Sequence, residues 1–224
     1  MLALASLSIL VWLVLIFGRG WFWLADQRLP ATAEPPADWP EVVAIIPARD
    51  EAETIGAVLA SHASTTYPGR FSVILVDDGS TDGTAEIART VAATSPRPVH
   101  VLEAPPLAPG WTGKLWALET GIRAADLAPE AGYILLTDAD ITHAPDTLAR
   151  LVAQAEAQDL ALVSLLARLD ARGFWGALLI PAFVFFFQKL YPYRWINDPA
   201  RDTAGAAGGC ILVRREALAG IGGL

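Results

Sequence analysis

A single cysteine, Cys210, stands in the whole chain, which excludes an internal disulfide and any zinc site built on paired thiolates. Basic residues are also few. Sixteen Lys and Arg face 24 Asp and Glu, giving a net charge of -8, so no cationic stripe is available for a phosphodiester backbone and nucleic-acid binding is discounted. Charged residues make up only 18% of the chain while 54% are hydrophobic, and the mean hydropathy of +0.41 is high for a soluble protein. Part of that apolar surplus is expected at a membrane or an interface. With 224 residues the chain can bury one full core, with extras.

No charge interrupts Leu2 to Gly18, and after Arg19 the apolar character resumes through Trp21, Phe22, Trp23 and Leu24. About 20 apolar residues cross a bilayer, and an arginine near one end can snorkel to the headgroups. Residues 1–25 therefore read as one transmembrane anchor. A cleaved signal peptide is the rival reading, but no basic residue stands ahead of the apolar run and no clear small-residue cleavage site follows it. Arg19 and Arg28 lie on the C-terminal side alone, so the positive-inside rule puts the remaining chain in the cytoplasm, against the inner membrane. Residues 26–41, with Pro30, Pro35, Pro36 and Pro40, read as a stiff linker.

From residue 42 onward apolar strands alternate with amphipathic helices. Strands are expected at Val42 to Pro47, Phe71 to Val76, Val99 to Glu103, Tyr133 to Thr137 and, as a further buried strand, Leu160 to Leu166. Helices are expected after a capping box at Asp50 to Glu53, over about Thr81 to Ala93 with Ser80 or Thr81 as N-cap, over Lys114 to Ala125, and from about Pro145. His62 falls on the packed face of the first of these helices. The alternation predicts βαβ units: an α/β domain over 42–224 with a mostly parallel sheet covered on both faces. Ligands of such sheets bind outside the carboxyl ends of the strands.

Polar clusters gather at those ends. Tyr133-Ile-Leu-Leu-Thr-Asp-Ala-Asp140 closes an apolar strand with two carboxylates at i and i+2, expected on one face of the strand. Asp138 and Asp140 are thus either a clamp for Mg2+ or Mn2+, shared with substrate phosphates, or acids that happen to end a buried strand. Pro47-Ala-Arg-Asp-Glu51 and Asp77-Asp-Gly-Ser-Thr-Asp-Gly-Thr84 follow the first and second strands. Glycines in the latter suit a tight turn, and Asp77 or Asp78 is placed to accept a hydrogen bond from a nucleotide. Gly110-Trp-Thr-Gly-Lys114 opens a helix, where Lys114 either meets a phosphate or is a solvated lysine. Phe174 to Phe187 is uncharged and aromatic, and residues 173–196 are either a buried helix or a segment at the membrane interface that would admit a lipid acceptor.

Together with Gly208-Gly-Cys-Ile-Leu-Val-Arg-Arg-Glu-Ala-Leu218, these motifs resemble the family 2 glycosyltransferases of GT-A fold. The N-terminal apolar run, the Gly-Trp-Thr-Gly-Lys loop and the aromatic segment are most similar to the hopanoid-biosynthesis-associated members. The resemblance implies a membrane-anchored, inverting enzyme that uses a nucleotide-sugar donor, a UDP-sugar, with Mg2+ or Mn2+ and a lipid acceptor. It implies Pro47, Arg49 and Glu51 in the nucleoside pocket and Asp77 or Asp78 on uracil. Lys114 would meet the diphosphate, Asp138 the ribose and, with Asp140, the metal, and Gly208 and Gly209 the sugar. Its general base belongs to an acidic pair shortly after the Gly-Gly motif, so the expectation is a C-terminally truncated domain whose base lies beyond Leu224. Two rivals stand against it: a haloacid-dehalogenase-like phosphatase with Asp138 as nucleophile, since Asp138 to Thr142 fits Asp-x-Asp-x-Thr, and a non-catalytic membrane-anchored nucleotide-binding protein.

Overall fold

The computed structural model describes the chain apart from residues 31–33 and 126–130, so Ala31 to Ala33 of the expected linker lie outside the described residues. In chain order the elements begin with α1 (Leu2–Leu13), β1 (Glu41–Ala48), α2 (Ile55–Ala63), β2 (Phe71–Asp77), α3 (Thr84–Thr94) and β3 (Val99–Glu103). They continue with α4 (Gly113–Ala125), β4 (Ala131–Thr137), α5 (Thr147–Ala157), β5 (Leu162–Ser164), α6 (Gly173–Leu190), α7 (Tyr193–Ile196), β6 (Cys210–Arg214) and α8 (Arg215–Gly220). Two compact units result: residues 30–167 with 206–224, and residues 1–29 with 168–205.

The first unit is a six-stranded sheet in the order β3, β2, β1, β4, β6, β5. Strands β1 to β4 are mutually parallel, and β6 runs antiparallel to both β4 and β5. Val43, Ile45, Ile74, Val76, Ile134 and Leu136 turn to one face, where Ala117 and Leu118 of α4 and Leu218 of α8 cover them. The alternate residues Val42, Ala44 and Ile46 are equally buried, so β1 is enclosed on both faces, as its unbroken apolar run requires. One glycine controls how closely the covering helix approaches. A Cβ on Gly121 of α4 would stand 2.3 Å from Ile45 Cγ2 and 3.3 Å from Val76 Cγ2.

Three local expectations are corrected. Leu160 to Leu166 is not a buried strand. Only Leu162–Ser164 is extended, half-exposed at the sheet edge, because β6 arrives from far along the chain and inserts between it and β4. No capping box forms at Asp50 to Glu53, as α2 starts at Ile55 and Thr54 gives no side-chain cap. Neither Ser80 nor Thr81 caps α3, whose N-cap is Gly83 at φ 94°.

Beneath the sheet's opposite face His62 is buried 4.6 Å, ring to ring, from His143, and its Nε2 has no hydrogen-bond partner among the described residues. His143 Nε2 lies 3.0 Å from Thr137 Oγ1. Burial, and then the neighbouring His143, pushes His62 down to about 3, and burial lowers His143 as well.

The second unit holds the apolar helices. After α1 the helix continues through a π-helical turn, Val14–Gly18, and no residue of either stretch is buried. Arg19 then donates from Nε to the Lys189 carbonyl at 3.0 Å and from Nη2 to that of Leu190 at 3.1 Å, satisfying orphan carbonyls at the C-terminus of α6. Phe22 packs on Phe185 with ring centroids 5.1 Å apart, and Arg194 pairs with Asp26. Contrary to the buried reading of Phe174 to Phe187, α6 has no buried residue. Phe174 is 74% and Trp175 67% exposed.

Two stability measurements follow. On an open helix face Gly→Ala gains up to about 1 kcal/mol, but Gly121→Ala must push Ile45 aside and is expected to lose about 1–3 kcal/mol in denaturant unfolding; a gain would mean that α4 lifts freely off β1. Buried His62 stays neutral in the fold down to about pH 3 but charges in the unfolded chain below about pH 6.5, so the unfolded state binds more protons there. Its contribution to stability is therefore full above that pH and falls toward pH 3, by up to about 1.4 kcal/mol per pH unit, and His62→Phe should flatten the slope.

Candidate active site

At the β1/β4 boundary the strand order reverses, since β2 and β3 build outward on one side of β1 and β4 lies on the other. A crevice opens at such a point outside the strand ends. Here it is a cleft of about 250 Å3 whose walls are Pro47, Ala48, Arg49 and Glu51 after β1, and Asp78 after β2. Lys114 and Ala117 of α4 and Asp138, Ala139 and Asp140 after β4 complete it.

Most of the polar residues after β2 hold the loop after β1 in place. Asp50 has a left-handed backbone, φ 53°, held because its N–H donates to Ser80 Oγ at 3.0 Å while its carboxylate accepts the Thr81 N–H at 2.8 Å. Glu51 N–H donates to Thr84 Oγ1 at 2.8 Å, and Ala52 N–H to the Asp82 carboxylate at 2.9 Å. Hydrogen bonds from Thr84 and the Ala52 N–H keep Asp82 below the usual carboxylate range. Ser80, Thr81 and Asp82 thus act as a latch that aims Arg49 and Glu51 at the cleft.

The paired aspartates after β2 divide. Asp78 lines the cleft, where Arg49 Nη1 lies 3.4 Å from its Oδ2. Asp77 is 6% exposed and does not line the cleft. One of its oxygens accepts the Ser80 N–H at 3.2 Å, and the other is buried without a partner among the described residues. Gly113 admits Asp78 to the first turn of α4, because a Cβ there would stand 2.4 Å from Asp78 Oδ2. A carboxylate at a helix N-terminus is favourable, and Lys114, one residue on, is not. Lys114 is compensated by Asp138, its Nζ lying 2.7 Å from Oδ1.

Asp138 and Asp140 line the same cleft, but not by strand alternation: β4 ends at Thr137 and the two acids sit in the turn that follows. Asp138 is anchored from behind. Its N–H donates to the Gly209 carbonyl at 3.3 Å, and the same carbonyl accepts Thr137 Oγ1 at 3.1 Å. Gly208 and Gly209 do not wall the cleft, because Gly209 packs under the turn, where a Cβ would meet Ile141 Cδ1 at 2.6 Å. Sequence reading missed this fastening, since only the register of β6 beside β4, Cys210 opposite Thr137, brings Gly209 to Asp138.

Two cations, Arg49 and Lys114, thus face four carboxylates, Glu51, Asp78, Asp138 and Asp140. Such a cleft repels a free diphosphate and accepts one that brings a divalent cation. Among the described residues no three His, Cys, Asp or Glu side chains converge into a complete metal cage. Two carboxylates suit a cation that completes its shell with phosphate oxygens and water, and a carboxylate can serve both Lys114 and a metal.

Residues 43–222 match the glycosyl transferase family 2 model. The chain belongs to that family. It is 33% identical over 140 residues to the polyprenol monophosphomannose synthase of Mycolicibacterium smegmatis, covering 60% of this chain and 48% of that protein. Against an N-acetylglucosaminyltransferase of Mesorhizobium japonicum it is 34% identical over 194 residues, covering 84% and 43% respectively. The chain thus spans about half the length of these curated relatives or less. In fold it is similar to a mannosyltransferase of Pyrobaculum calidifontis solved with GDP-mannose and Mn2+. The TM-score is 0.63 at 24% identity, over 96% of this chain and 57% of that one.

Gly113→Ala tests the packing of Asp78 on α4: displacing that carboxylate is expected to weaken nucleotide binding at least tenfold, about 1.4 kcal/mol, in calorimetric titration, with the unfolding midpoint little changed.

Proposed function

We propose that this chain carries the donor site of a metal-dependent, inverting glycosyltransferase that moves a sugar from a nucleotide-sugar to an isoprenoid membrane lipid. The carrying observation is the cleft at the strand-order reversal, with its excess of carboxylates, in a family 2 domain. Pro47, Arg49 and Glu51 hold the nucleoside, Asp78 accepts from the base, and Lys114 meets the diphosphate. Asp77 shapes the turn rather than touching the base, and Gly209 supports Asp138 rather than the sugar. Asp138 and Asp140 hold Mg2+ or Mn2+, which when bound neutralises charge on the departing diphosphate. The haloacid-dehalogenase-like reading loses to the family match, and a purely nucleotide-binding role is rejected by any sugar transfer.

Transfer forms a bond from an acceptor oxygen to the anomeric carbon as the bond to the nucleoside diphosphate breaks. The relative named for polyprenol monophosphomannose favours a polyprenyl phosphate acceptor, and the resemblance in the sequence motifs favours a hopanoid. The two differ in chemistry. A phosphate oxygen arrives ionised and needs no side-chain base, whereas a hydroxyl must lose its proton to one. The donor base is likewise divided between uridine, from the sequence resemblance, and the guanosine of the mannosyltransferase structure. The apolar residues 1–25 anchor the domain on the cytoplasmic face of the inner membrane.

The test is transfer of labelled sugar from UDP- and GDP-sugars into lipid, in membranes containing the chain, with and without chelator. Metal-dependent labelling that Asp140→Ala abolishes supports the reading. In titrations with Mn2+ and UDP or GDP, Asp140→Ala and Lys114→Met should each cost at least tenfold in affinity, about 1.4 kcal/mol; unchanged binding in Asp140→Ala would refute the metal assignment.

A further inference from the structure

The helix α6 is long and apolar enough to cross a bilayer, and none of it is buried. Its 18 residues reach about 27 Å at 1.5 Å per residue, close to the hydrocarbon thickness of about 30 Å. Length and composition alone would make it a transmembrane span. The connectivity of the chain argues otherwise.

Residues 168–205 are an excursion from one sheet. The chain leaves after β5 and returns as β6, and these two strands are hydrogen-bonded neighbours, with Ser164 opposite Ile211 and the Leu165 N–H donating to the Cys210 carbonyl at 2.9 Å. Both ends of the excursion therefore lie on the same side of any membrane. A single crossing within it would put them on opposite sides, so a crossing by α6 demands a second one on the way back. Nothing after α6 can provide it. From Tyr191 to Gly205 the only helix is the four-residue α7, and the stretch carries Arg194, Asp198, Arg201 and Asp202. Such charges are confined to headgroup depth or to protein interiors.

We infer that α6 is a monotopic membrane helix, embedded in one leaflet of a lipid bilayer with both of its ends at headgroup level on the same side. Charged groups flank it at both ends. The Asp170–Arg172 pair precedes it at 2.7 Å, and Lys189, then Arg194 paired with Asp26, follow its apolar body. Arg19 at the end of the first apolar run occupies the same level as the C-terminus of α6, because its guanidinium bonds the last carbonyls there and stacks on Trp195, 4.9 Å from the ring centroid. Trp195 and Tyr191 supply the amphipathic rings that favour this depth. The placement holds whatever sugar or acceptor the enzyme uses, and its test does not depend on turnover.

The native thiol is a convenient background, since Cys210 is buried and burial raises it to about 11. Asp170→Cys and Ala204→Cys place exposed thiols before and after the helix, and Phe183→Cys places one within it. In the full chain reconstituted or expressed in membranes, a membrane-impermeant maleimide applied separately to each face should label positions 170 and 204 from the same face. Position 183 should resist it until detergent is added. Labelling of 170 and 204 from opposite faces would establish a crossing and overturn the inference. Equal reactivity of position 183 with and without detergent would show that α6 lies outside the bilayer and would overturn it as well.

Discussion

Enclosure of β1 on both faces is the constraint from which the site follows. A strand with Val42, Val43, Ala44, Ile45 and Ile46 all buried has no solvent side, so it must lie inside the sheet with helices above and below. Because the chain then adds β2 and β3 on one flank and β4 on the other, the connections after β1 and β4 diverge, and the gap between them is the cleft. The same enclosure makes Gly121 matter, since α4 can cover Ile45 and Val76 closely only where no Cβ intervenes. That close seat carries the first turn of α4, and with it Lys114, to the rim where the acids converge.

Carboxylates outnumber cations in the cleft. Its carboxylates are held apart by their own partners, Asp78 by Arg49 and the first turn of α4, Asp138 by Lys114 and, through its N–H, by Gly209. Asp140 is exposed at the rim. A ligand that brought only negative charge would add to an existing excess of it, so the favoured guest is an anion with its own cation.

The apolar surplus noted in the composition resolves into α1 with its π-helical turn and α6, neither of which has a buried residue. Hydrophobicity separates these segments from the sheet, but does not say how either meets a membrane. For α6 the observation that bears on it is the pairing of β5 with β6, neighbouring strands at which the chain leaves and rejoins the sheet.

Several features were legible in the residues alone: the alternating strands and helices, the apolar continuity of β1 and β4, and the gathering of polar motifs at strand ends. Each depends on local periodicity, which a linear chain carries in full. Others were not legible. No strand was expected at Cys210–Arg214, and its antiparallel pairing with β4 pushed Leu162–Ser164 to the edge and brought Gly209 beneath Asp138. The Ser80 and Thr81 side chains look like helix caps in sequence, but together with Asp82 they serve a loop some 30 residues away, because partners across parallel strands are set by register and not by spacing. By itself the sequence determined the four parallel strands, most of the helices between them and which acids stand at the strand ends. The tertiary structure alone decided which of those acids share a cleft and that the apolar excursion leaves and rejoins the sheet at neighbouring strands, because both depend on strand order, a property of contacts between residues far apart in the chain.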